Sequence, residues 1–80
     1  MKMTILKSIN DKKSFKLFEI LGADVEKIQD LEETDNKIKE LIDKNYTTIV
    51  MTSEVAGFSE SIIKKYNKMN DIKIIIAPPK

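Results

Sequence analysis

The stretch from Tyr46 to Pro79, YTTIVMTSEVAGFSESIIKKYNKMNDIKIIIAPP, leaves the chain little freedom of fold. A β-rich run passes into a Thr-Ser-Glu helix start. Apolar residues then recur at helical spacing, and an isoleucine run follows, closed by two prolines that cannot donate to a ladder. This is one complete strand–helix–strand unit. Such a unit joins parallel strands, because antiparallel neighbours need only a tight turn.

The preceding residues extend the alternation. Met3 to Ser8 reads as a first strand, and Ile9-Asn10-Asp11 as a loop into a helix from about Lys12 to Leu21, with Gly22 where a left-handed stop is wanted. Ala23 to Ile28 is a second, weaker strand. Asp30 is a plausible N-cap for a second helix with Glu33 at its N3 position, and Leu31, Ile38, Leu41 and Ile42 form one narrow apolar stripe. The third strand spans about Tyr46 to Thr52.

In the third helix Val55, Phe58, Ile62, Tyr66 and Met69 recur, but Gly57 interrupts them at a cost of roughly 1 kcal/mol. The reading is therefore a short turn capped by Ser53 and a main helix capped by Ser59, with Phe58 and Ile63 spaced as a hydrophobic staple. Ile72 to Ala77 is the fourth strand, ended by Pro78-Pro79.

The βαβαβαβ alternation predicts a single α/β domain over residues 1–80. It is a Rossmann-like three-layer fold with three helices on a four-stranded parallel sheet of order 2-1-3-4. That order puts helix one alone on one face and leaves strands three and four thinly covered there. On strand four, Ile72, Ile74 and Ile76 form the apolar set. Lys73, Ile75 and Ala77 form the mixed set, which should face the thin side and leave Ile75 partly exposed. In helix one Phe15, Leu17, Phe18, Ile20 and Leu21 span an arc of roughly 220°, against the usual ~100°. Either that helix is deeply buried, or its flank at Phe15 or Ile20 meets a partner.

Composition excludes several chemistries. Eighty residues bury only about 60% of their unfolded surface, so stability should be modest. With no cysteine and no histidine, thiolate chemistry and the commonest general base are absent. No acidic spacing resembles a calcium loop, and Gly22 and Gly57 cannot supply a phosphate-cradling loop. The formal net charge of +1 is too balanced for a nucleic-acid binder, and every cation is a lysine. No run reaches the ~18 apolar residues of a membrane span, and the first residues lack a signal peptide's apolar core, so the expected location is cytoplasmic. Glu32, Glu33 and Asp35 read as a solvated helix start, and Ser59-Glu60-Ser61 as a cap. A phosphoacceptor domain would need an acidic pair and a late lysine. Here Asp11 is a single acid, Thr52 ends strand three, and prolines end strand four.

In order and spacing the chain resembles the F subunit of V-type and A-type ATPases. Asn10-Asp11-Lys12-Lys13-Ser14-Phe15 stands at the family's first loop, and Ile20-Leu21-Gly22-Ala23-Asp24-Val25 at its helix exit. Thr52-Ser53-Glu54 stands in the Ile-Thr-Glu region, Ser61-Ile62-Ile63-Lys64-Lys65-Tyr66 in the third helix, and Ile74-Ile75-Ile76-Ala77-Pro78 at the closing strand. The family's glycine after strand one is replaced in the neighbourhood of Ser8 and Ile9. Set against the family, the chain reads as a short form without the C-terminal tail.

The resemblance implies a non-catalytic central-stalk protein without cofactor or metal. It would bind the coiled-coil D subunit of the stalk, help couple ATP hydrolysis or synthesis to proton or sodium transport, and be peripheral to the membrane through the complex. The residues singled out for partner contact are Phe15, Ile20, Phe58, Tyr66 and Ile75. The alternative is a stand-alone signalling or adaptor module that self-associates through the thin sheet face.

Overall fold

In the computed structural model, which describes residues 2–77, four parallel strands form one sheet in the order β2-β1-β3-β4. The strands are β1 (Met3–Ser8), β2 (Val25–Ile28), β3 (Thr48–Thr52) and β4 (Lys73–Ala77). The helices are α1 (Lys16–Ile20), α2 (Thr34–Asp43), α3 (Ser53–Ala56) and α4 (Glu60–Asn67), with a 3-10 turn at Leu31–Glu33 ahead of α2. The predicted strand order and parallel α/β class hold. The split of the third helix at Gly57 also holds. The role given to Pro78-Pro79 lies outside the described residues.

Register fixes what each face carries. Thr4, Ile49 and Ile74 lie side by side, as do Leu6, Met51 and Ile76. This face is the core: Leu6, Ile28, Ile49, Met51 and Ile74 pack with Ile38 and Leu41 of α2, Val55 and Ala56 of α3, and Ile63 of α4. The other face carries Ile5, Val50 and Ile75 in one row and Lys7 beside Lys27 in another. Among the described residues it is reached only by α1, which has no buried residue. Ile75 is 43% exposed, as the alternation predicts. Ile76, assigned to the covered set, is nevertheless 47% exposed, because the helix layer does not extend over the end of this edge strand.

Local hydrogen bonds move several predicted boundaries. Helix one begins at Lys16, not Lys12, and Phe15 lies outside it. Asp11 Oδ1 accepts from the amides of Lys13 (3.1 Å) and Ser14 (2.9 Å), and Phe15 takes a left-handed φ of 58°. A side chain that satisfies backbone amides this way competes with helix continuation.

At the far end Gly22 holds φ 89° while its N–H bonds Glu19 O, and the Ala23 N–H bonds Phe18 O. This is a full left-handed cap, so β2 opens at Val25 and not Ala23. Asn45 (φ 74°) does the same for α2, its amide on Ile42 O and that of Tyr46 on Leu41 O, which delays β3 to Thr48. Asp30 does cap, accepting from Glu32 N, but what it caps is the 3-10 turn. Thr52, not Ser53, caps α3 through Val55 N (3.3 Å). Ser59 occupies the N-cap position of α4 without capping, and its hydroxyl instead donates to Asp35 Oδ1 on α2. Its neighbour Phe58 is 52% exposed and Ile63 is buried.

Candidate functional site

The order 2-1-3-4 reverses direction between β1 and β3, so the chain leaves these neighbours toward opposite faces. At such a switch point the loops beyond the strand ends part and leave a crevice. Here a cleft of about 740 Å³ opens, lined by the post-β1 segment through Asp11, Lys13 and Phe15, by Leu17 and Phe18 of α1, and by Thr52 to Glu54 after β3. Ala77 of β4 also lines it.

The first wall is held by polar contacts. Asp11 N donates to Ser8 O (3.0 Å), starting the turn that its carboxylate then caps. The Ser14 hydroxyl first, and its amide next, hold the Asp11 carboxyl below its ordinary range. Lys7, 1% exposed, reaches from β1 to Ser14 O at 2.8 Å and Glu19 Oε2 at 3.4 Å. Glu19 Oε1 also meets Lys27 at 2.9 Å. One α1 carboxylate thus spans two lysines on neighbouring strands, and it is pulled below its usual range, by Lys27 most of all.

α1 is therefore pinned to the sheet by charge and hydrogen bonds. Its apolar side chains Leu17, Phe18, Ile20 and Leu21 remain exposed. Of the two readings of this wide apolar arc, deep burial is ruled out.

The five residues singled out from the sequence do not form one surface. Phe15 is half-buried at the cleft, its ring 6.4 Å from that of Phe18. Ile20, at 70% exposure, is on α1, and Ile75 is on the same side of the sheet over the bare strands. Phe58, in the α3–α4 junction, and Tyr66, on α4, belong to the opposite helix layer. Tyr66 packs half-buried on the core, with the Lys65 ammonium 5.7 Å from its ring.

The residue that sequence reasoning missed is Lys7. Its only signal was parity: a lone lysine opposite the core row of a central strand, with a glutamate in the helix that follows. Chemically the cleft offers apolar area, lysine ammonium groups and helix-capping oxygens already in use. Among the described residues no group of three acidic, histidine or cysteine side chains could hold a metal ion. Also among them, no helix is long and apolar enough to cross a membrane.

Comparison with individual curated proteins finds none that matches. The model of one family, described as ATP synthase (F/14-kDa) subunit, matches residues 7–80, from the buried lysine of β1 through β4 and beyond. That span takes in every strand crossover of the sheet and the whole of the cleft, and the chain belongs to the ATP synthase F/14-kDa subunit family.

Proposed function

We propose that this chain is a non-catalytic central-stalk component of a V/A-type rotary ATPase. It binds the long coiled-coil D subunit of the stalk and helps couple ATP hydrolysis or synthesis to proton or sodium transport. It hydrolyses nothing itself, and sits on the cytoplasmic side, attached to the membrane only through the complex. Family membership supports the assembly.

The observation that carries a docking role is α1, which keeps none of its residues buried and leaves Leu17, Ile20 and Leu21 mostly exposed. A helix that adds nothing to its own core yet is anchored by Lys7 and Lys27 suits a surface kept for a partner. On this reading Phe15, Ile20 and Ile75 contribute to the contact, with Phe58 and Tyr66 available to a second neighbour.

Co-expression with the host's coiled-coil stalk protein tests this. The two chains should co-elute on gel filtration, and Leu17→Glu with Ile20→Glu should separate them while the circular dichroism spectrum is kept. No complex at micromolar concentrations overturns the proposal.

A further inference from the structure

Among the described residues the sheet is one helix short. Strands lie about 4.8 Å apart, and packed helices 8–10 Å, so each face of a four-stranded sheet has room for two helices. The core face carries α2 and α4 across it. Among the described residues the opposite face carries only α1, tied to β1 and β2 through Lys7 and Lys27. Beside it, over β3 and β4, Val50 and Ala77 are half-buried and Ile75 is exposed. Parallel sheets are normally covered on both faces, and this strip, continuous with the cleft at Ala77, is where the missing helix would lie.

The charges around the strip indicate what fills it. Lys13 and Lys16 line the cleft end, and Lys73 stands two residues from Ile75 at the other end. Among the described residues none of the three is ion-paired. Of the acids at the cleft, Asp11 spends its carboxylate on two backbone amides, which leaves Glu54 alone against them.

A second copy of this chain does not suit the strip. The outward residues of α2 (Asn36, Lys39, Glu40, Asp43) are all polar, and α4 likewise shows serine, lysine and glutamate. Among the described residues the only exposed apolar helix a copy could offer is α1, which would set its own lysines against these. Nor is strand addition at β4 favoured, because the Asn67 side chain already takes the outer amide of Ile74 (2.9 Å) and its carbonyl (3.4 Å).

We infer that the bare face over β3 and β4 receives an amphipathic helix of another protein, its apolar stripe on Val50, Ile75 and Ala77 and its flanking carboxylates toward Lys13, Lys16 and Lys73. This deepens the stalk reading, on which it rests only for the partner's identity.

The test is an NMR titration of the 80-residue chain with two synthetic helical peptides of about 18 residues. Both carry the same leucine stripe, flanked in one by glutamate and in the other by lysine. The glutamate peptide should bind at micromolar concentration and shift the amides of Val50, Ile75, Leu17 and Phe18. The lysine peptide should bind about tenfold more weakly or less, since three exposed pairs become repulsions. Ile75→Glu should weaken the glutamate peptide by about tenfold, with the fold kept.

Equal binding of both peptides, shifts confined to α2 and α4, or no binding at millimolar peptide overturns the inference. So does a sedimenting dimer that Ile75→Glu dissolves, which would make a second copy the occupant. The stalk reading fails separately. A complex with the coiled-coil stalk protein that survives Ile75→Glu sinks only the inference, and failure of the unsubstituted chain to form that complex, with the peptide result intact, sinks only the stalk assignment.

Discussion

Two adjacent isoleucines on one strand should respond very differently to the same truncation. Ile74 points into the core at 6% exposure, and Ile75 points to the bare face at 43%. Ile74→Ala removes buried methylenes and leaves a cavity walled by Ile49 and the helix layer, at a cost of about 2–5 kcal/mol. Ile75→Ala gives up only partial burial, and water fills the space left behind, so the cavity contribution vanishes and about 1 kcal/mol remains. The loss of β-propensity, up to ~1 kcal/mol, is common to both and cancels in the comparison.

The two variants should therefore differ by about 2 kcal/mol. An 80-residue domain holds roughly 4–12 kcal/mol in all, so the gap is a large share of stability. With a urea slope near 1 kcal/mol per molar, the unfolding midpoints should separate by about 2 M, read by circular dichroism at 222 nm. Equal midpoints would mean that Ile75 is as well covered as Ile74, and the argument for a vacant sheet face would fall with that result.

Other expectations concern single contacts. Thr52→Ala removes the cap on Val55 N and should cost about 1 kcal/mol in urea unfolding, whereas Ser53→Ala, at the position the sequence pattern favours for the cap, should cost little. Gly22→Ala meets no atom within 4 Å, so its penalty is conformational only, about 1–2 kcal/mol from the left-handed φ. Asn45→Gly, at the equivalent stop of α2, should be neutral or slightly stabilising in the same assay. The carboxyls of Asp11 and Glu19 titrate below their ordinary values of 3.8 and 4.5 in the folded chain. Their contribution is therefore complete above those values and lost as pH falls through the lowered ones. With no histidine, the melting temperature should be level between pH 5 and 7 and drop below about pH 4.5. Glu19→Gln should flatten part of that acid slope, and an unchanged slope would show that Glu19 carries none of it.

Sequence legibility followed how local the cause was. The closing strand–helix–strand unit was legible because its periods change from two to 3.6 and back within a few residues, and the Gly57 break needed only glycine's helix cost. Boundaries slipped where side chains took over backbone partners. Asp11 shortened helix one, and Asn45 pushed back β3. Neither residue violates a helical pattern, so periodicity could not show it.

The βαβαβαβ alternation from Met3 to Ala77 by itself determined a parallel α/β sheet, its strand order and the exposure of Ile75. Those follow from local repeat and crossover rules, which act within one unit of chain. Tertiary structure decided that Lys7 is buried, that Glu19 joins it to Lys27, and that α1 lies on the sheet with its apolar residues facing outward. Those depend on strands and helix meeting across stretches of chain longer than any local repeat, where distance in space, not spacing in sequence, sets the energy.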